Sequence, residues 1–172
     1  VQPGFARTGQ AFFGFARHGI VPDMITMGKP MGNGIPISGL AAKENVLAAF
    51  SDKLPYFNTF GGNPVSIAAA QAVLKYIKDE NLQEHCKKAG AALLKALKEV
   101  QERHPESVGD VRGAGLFLGF EFVKNDGNKT PDKDMALNVI EMLRDEHILT
   151  SVIGHYGNIL KLRPPMVFSE ND

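Results

Sequence analysis

The sequence predicts a mixed α/β chain in two parts: a loop-rich first part reaching to about residue 80, and a compact α+β unit after it. Three observations carry this reading. More than half of the glycines and prolines fall within residues 1–64, between short apolar runs and scattered aromatics such as Phe5, Phe12, Phe13, Phe15, Tyr56, Phe57 and Phe60. Helical spacing sets in after Asn63-Pro64. Further on, strict apolar alternation over residues 115–123 lies between two helical stretches, the mark of a half-buried strand.

In the first part, Gly and Pro mark turns and places where backbone passes close to a neighbour or ligand. The runs Met24–Met27 and Ile37–Ala42 read as buried strands too short to be helices. Asn63 is a natural N-cap and Pro64 suits the first helical position, so a helix opens there with Val65, Ala69, Ala72, Val73, Tyr76 and Ile77 as its apolar set. The polar run 78–81 separates it from a second amphipathic helix striped by Leu82, Cys86, Leu93, Leu97 and Val100, which stops near His104-Pro105. Cys86 falls on that stripe and reads as a small buried hydrophobe. In the following strand Leu116, Leu118, Phe120 and Phe122 point one way and Glu121 the other. A polar turn at 124–129 leads to a third helix opened by Thr130-Pro131, with Ala136, Ile140 and Leu143 inward and Leu137 and Val139 widening the face. Ile148–Ile153 and Asn158–Arg163 read as two final strands.

Composition narrows the function. Nineteen basic residues balance nineteen acidic ones, so no global field draws nucleic acid or an anionic membrane. A single Cys builds neither an internal disulfide nor a Cys-rich zinc site. No apolar run approaches the ~18 residues of a membrane span. The first residues lack both a signal peptide's pattern and a starting Met, so the chain is expected to be cytoplasmic and to begin in the middle of something. Gly28-Lys29 is followed by Pro30 and lacks the upstream glycine of a P-loop, Gly-x-Ser-x-Gly is absent, and the five His show no zinc-protease spacing.

Three features remain. Lys29, in MITMGKPMGNG, follows a short apolar strand and precedes a glycine loop. Sheltered there, desolvation would disfavour its ammonium and leave an amine able to form a Schiff base; otherwise it is a solvated strand-end lysine. Tyr56–Pro64 brings the Thr59 hydroxyl, two glycines and free amides at a helix start together, a ready phosphate site or an ordinary glycine turn. Arg163 ends a strand before a rigid Pro-Pro, where a guanidinium forks a carboxylate or is simply solvated. Arg112 and Arg7 read the same way, Arg112 as structural.

The segments VQPGFARTG, VPDMITMGKPMGNGIPISG, FNTFGGNPVS, GDVRGAGLFLGFE and LKLRPPM together resemble the class III aminotransferases, pyridoxal 5′-phosphate enzymes of fold type I, in the family's order and across almost the whole chain. The resemblance implies that residues 1–80 are the C-terminal part of the large cofactor-binding domain and residues 81–172 the small C-terminal α+β domain. It implies that Lys29 forms the Schiff base and shuttles the proton. Val1 would pack against the pyridine ring and Gln2 would contact its 3′-oxygen. Thr59 would donate to the cofactor phosphate across a homodimer interface, in the partner subunit's site, and Arg163 would grip the substrate carboxylate. It also implies a C-terminal fragment, because family members carry an Asp just upstream of the Val-Gln pair that keeps the ring nitrogen protonated. Within the family, GKPMGNG, YFNTFGGNPVS and the last forty residues are most similar to the phospho-lyase branch, which removes phosphate and ammonia from phosphoethanolamine or phosphohydroxylysine. Ile35 stands where that branch has His, Arg163 where it has Lys, and Pro3 departs from the usual Thr. An Arg at 163 favours a carboxylate-bearing substrate. The expected activity is therefore transfer of an amino group from an amino acid or ω-amine to a 2-oxo acid. Phospho-lyase activity and a truncated, non-catalytic chain are the alternatives.

Overall fold

The computed structural model describes residues 2–172. The chain divides into two compact units, Val1–Gln83 and Glu84–Asp172.

In the first unit a tight, buried loop over residues 4–9 is followed by a cluster of phenylalanine rings. Phe12 and Phe13 lie edge to face at 5.0 Å, and Phe13 stacks on Phe15 at 5.2 Å. Strand β1 (Met24–Met27) pairs antiparallel with β2 (Gly39–Ala42), Met24 opposite Ala42 and Met27 opposite Gly39. The excursion between them holds a short 3-10 turn, Lys29–Gly32. The expectation of buried strands fails here: Met24 and Leu40 are each more than half exposed. Two strands form one ribbon, and among the described residues of this unit nothing covers both of its faces. Helix α1 (Glu44–Ser51), which periodicity did not single out, follows β2 directly.

Helix α2 (Pro64–Asp79) begins where expected, with the Asn63 side chain accepting from the Val65 and Ser66 N–H groups. Its inward stripe runs through Ser66, Ala69, Ala70, Val73 and Ile77 and packs against the Lys29–Gly32 turn. Val65, Ala72 and Tyr76, expected inside, face out.

The second unit is a four-stranded antiparallel sheet backed by helices. Helix α3 (Leu82–Arg103) leads to β3 (Val108–Ala114) and β4 (Phe117–Phe122), then to α4 (Lys133–Asp145), β5 (Val152–Ile153) and β6 (Ile159–Leu162), with strand order β3-β4-β6-β5. Asp132, not Thr130, caps α4, accepting from the Met135 N–H. The core is built from Val108, Val111, Phe120, Phe122, Ala136 and Leu160, closed by Leu94 and Leu97 of α3 and Val139, Ile140 and Leu143 of α4. Fully burying a side chain such as Phe120 stabilises by roughly 1.5–3 kcal/mol, so this cluster dominates the unit. Leu137, expected to widen the inward face of α4, is 40% exposed.

Strand β3 has a bulge: Val108 pairs with Phe122, but Asp110 pairs with Glu121. The extra residue, Gly109, turns both Val108 and Val111 inward although they are three apart. A smaller cluster of Cys86, Ala89 and Leu116, packed by Met166, ties the first half of α3 to the β3–β4 hairpin and to the C-terminal segment. Cys86 is fully buried, as its place on the stripe predicted.

Candidate functional site

Lys29 sits at the first position of its 3-10 turn with φ of +52°. A lysine has no side-chain means of favouring that left-handed backbone, which costs of order 1–3 kcal/mol and persists where surroundings impose it. The turn is held by α2 on one side and by the return of the chain into β2 on the other. Lys29 is exposed rather than sheltered, because the ribbon beside it is itself open.

Its side chain stands at the edge of a hollow of about 710 Å³. Gly34, Ile37 and Ser38 wall one side, and Asn58, Gly61, Gly62 and Ser66 the other. The fold thus brings the lysine and the Tyr56–Pro64 loop, about thirty residues apart in sequence, around one space. At Gly34 and Gly62 a Cβ would meet nothing within 4 Å, so both open onto free volume.

Contrary to the expectation, the Phe60, Gly61, Val65 and Ser66 amides of that stretch are not free. Asn58 Oδ1 accepts from the Phe60 and Gly61 N–H groups at 3.1 and 3.0 Å. Asn63 Oδ1 accepts from the Val65 and Ser66 N–H groups at 3.0 and 3.2 Å. Two asparagines thereby use the donors a phosphate would have taken at this helix start, leaving hydroxyls as the better candidates. Thr59 is exposed on the loop and is not among the residues walling the hollow. Asn58, which the sequence reading passed over, orders the loop and also donates from Nδ2 to the Tyr56 hydroxyl at 3.1 Å. An Asn two and three residues before a pair of turn amides was the available signal.

Gln2 is half-buried at the start of the buried loop, and Val1 lies outside the described residues. In the second unit Arg163 leaves the end of β6 exposed and lines a separate hollow of about 920 Å³, together with Ala89 and Leu93 of α3, Thr150, Lys161 and Phe168. Arg112 is structural: its Nη1 donates to Asp110 Oδ2 at 2.6 Å and to Glu121 Oε2 at 2.5 Å. Donating to the Glu121 and then the Asp110 carboxylate holds its guanidinium pKa above the ordinary value. The bulge at Gly109 is what sets Asp110 opposite Glu121, with Arg112 within reach of both.

What the arrangement offers chemically is a primary amine beside an open volume, hydroxyls and amides nearby, and elsewhere a cation at a strand end. An amine suits a carbonyl, hydroxyls suit a phosphate, and the glycines leave room, so the residues present fit a phosphorylated aldehyde cofactor.

The model of the family "Aminotransferase class-III" matches residues 1–172. Ethanolamine-phosphate phospho-lyase homolog 1 of Caenorhabditis elegans is 44% identical over 100% of this chain and 37% of its own length. Alanine–glyoxylate aminotransferase 2 homolog 2, mitochondrial, of Arabidopsis thaliana is 41% identical over 100% of this chain and 35% of its own. A phospholyase from Arthrobacter, solved in complex with phosphoethanolamine, superposes with a TM-score of 0.95 at 40% identity, covering 99% of this chain and 40% of that one. The chain thus spans little more than a third of the length of the curated relatives it matches.

Proposed function

The chain belongs to the class III aminotransferase family, and from that premise we propose that it carries the reactive lysine of an enzyme that releases phosphate and ammonia from a small phosphorylated amine. The family is pyridoxal phosphate dependent and its structural relatives are of fold type I. The observation that carries the reading is the 0.95 TM-score to a phospholyase holding phosphoethanolamine, against 0.87 for an aminotransferase of Bacillus anthracis. Residue similarity in GKPMGNG and YFNTFGGNPVS supports it.

When bound, the cofactor supplies a carbonyl that takes an amine and a ring that accepts electron density. The chain's own residues do the rest. Lys29 Nζ would hold the cofactor's carbonyl carbon between turnovers and, freed by the substrate amine, would take the proton from the carbon that bears that amine. The C–H electron pair would become a double bond to the neighbouring carbon while the C–O bond there breaks and its pair leaves with the phosphate, and water would then give ammonia and a carbonyl product. Lys29, at positive φ, starts its side chain from the edge of the hollow. Thr59 would donate to the cofactor phosphate in the partner subunit's site, Val1 would pack against the ring, Gln2 would contact its 3′-oxygen, and Arg163 would hold the substrate's anionic group. A guanidinium forks phosphate as well as carboxylate, so Arg163 suits this substrate class.

A second reading is transamination from an amino acid or ω-amine to a 2-oxo acid. Arg163 in place of the branch's lysine and the alanine–glyoxylate aminotransferase relatives favour it. Incubating the enzyme that carries these residues with phosphoethanolamine, and in parallel with an amino donor and 2-oxoglutarate, separates the two. Phosphate release without glutamate supports the lyase; glutamate without phosphate refutes it in favour of transamination. Borohydride reduction with pyridoxal phosphate tests the premise of both, since no pyridoxyl label on Lys29 would mark a non-catalytic chain.

A further inference from the structure

The segment that carries Arg163 is fastened to α3 at two points. Arg163 leaves β6 and enters Pro164-Pro165, whose rings fix φ and remove two backbone donors. Three residues after Arg163, the Met166 side chain packs into the cluster of Cys86, Ala89 and Leu116, and the Cys86 thiol lies 3.8 Å from the Met166 carbonyl as its donor. Two residues further, His85 Nε2 reaches the Phe168 carbonyl at 2.8 Å. A carbonyl only accepts, so Nε2 carries the hydrogen. Beyond it, Ser169 closes a turn with Asp172, its N–H and hydroxyl both donating to Oδ2 at 2.8 Å.

Neighbouring side chains at the start of α3 therefore grip the Met166 and Phe168 carbonyls of one turn, which the Phe168 N–H closes by donating to the Pro165 carbonyl at 3.1 Å. The stiff Pro-Pro link passes that grip back to residue 163. A free strand end would let a long guanidinium sweep the mouth of the hollow; this one starts from a set backbone direction.

We propose that His85 is a positioning residue for Arg163, holding the segment after β6 so that the guanidinium meets the anionic group of the substrate. The inference rests on the reading that Arg163 binds that group, and it deepens it. His85 touches neither substrate nor cofactor and acts only through the Phe168 carbonyl.

The test compares His85→Ala, His85→Gln and Arg163→Ala in the enzyme carrying this chain, with phosphoethanolamine as substrate and ethanolamine, which lacks the phosphate, as a competitive inhibitor. Loss of one positioning hydrogen bond in His85→Ala raises KM for phosphoethanolamine about fivefold, with kcat and the inhibition constant of ethanolamine unchanged. His85→Gln, whose amide Nε2 donates from nearly the same place, brings KM back to within about twofold of wild type. Should His85→Ala not fold, His85→Asn, too short to reach the carbonyl, takes its place against His85→Gln. If Arg163→Ala raises KM for phosphoethanolamine while His85→Ala does not, the positioning role is refuted and the Arg163 reading stands. A fall in kcat or an equal weakening of phosphoethanolamine and ethanolamine in His85→Ala, or no rescue by His85→Gln, refutes it equally. If Arg163→Ala leaves KM for phosphoethanolamine unchanged, the Arg163 reading itself fails and the positioning role falls with it.

Discussion

Replacing Gly90 by Ala is expected to loosen the second unit. Gly90 lies buried in the first half of α3, where the helix crosses the turn of the β3–β4 hairpin. A Cβ built there would stand 2.2 Å from the Gly115 carbonyl carbon and oxygen and 2.4 Å from its Cα. Ordinary contact begins at 3.4 Å, so helix and hairpin must part by about 1 Å. Both obstacles are backbone, and no rotamer change relieves them. Overpacking of this kind costs about 1–3 kcal/mol, with the upper end expected where backbone must move. Ala returns about 1 kcal/mol in helix propensity, leaving a net loss of about 2 kcal/mol. For a chain of this size that lowers the unfolding midpoint by about 4–8 °C. Thermal melts followed by far-UV circular dichroism check it, with Ala91→Gly as control: Ala91 is exposed, so only the propensity loss of about 1 kcal/mol applies there. A Gly90→Ala protein that melts at or above wild type would mean the helix does not approach the hairpin this closely, and the argument would be wrong.

Asn158 is 1% exposed, and its Nδ2 donates to the Phe122 carbonyl at 2.7 Å. Asn158→Ala removes that bond while the Phe122 carbonyl keeps the Asp132 N–H at 3.1 Å, and chemical denaturation should show a loss of about 0.5–1.5 kcal/mol. Lys29→Gly relieves a positive φ while removing the amine, so borohydride labelling disappears while the unfolding free energy stays within about 1 kcal/mol of wild type. Loss of both together would show that Lys29 serves the fold instead. The Asp172 carboxyl is held below its ordinary pKa by the Ser169 backbone N–H and then by the Ser169 hydroxyl. The depressed value means the turn's contribution is present above the ordinary carboxylate range and lost as pH falls through the lowered one. An NMR titration of Ser169→Ala should show the Asp172 pKa moving up; no movement would remove the hydroxyl from the account.

The second unit was largely legible because its elements obey simple periods. Leu118, Phe120 and Phe122 alternate cleanly, and Ala136, Ile140 and Leu143 repeat at helical spacing, since each set faces one core. Strand β3 escaped for a local reason. The bulge at Gly109 puts two inward valines an odd number of residues apart, which no period of two detects. In the first unit the reading found β1, β2 and the capped start of α2, but assigned burial wrongly. Apolar composition in Met24–Met27 was taken for burial, whereas the ribbon leaves Met24 and Leu40 exposed.

The site divides along the same line. Lys29, Thr59 and Arg163 stand out by residue type and by their place at strand ends and helix starts. The residues that order them, Asn58, Asn63 and His85, act through backbone groups, and such hydrogen bonds have no sequence period.

By itself the sequence determined which elements form and which side chains carry reactive chemistry, because helical and strand periods, caps and the chemistry of an amine are local properties. Only the tertiary structure decided that Lys29 shares a hollow with a loop thirty residues away, that four amides of that stretch are already taken, and that α3 grips the segment after Arg163. Those facts depend on which distant backbones come into contact, and that is settled by packing.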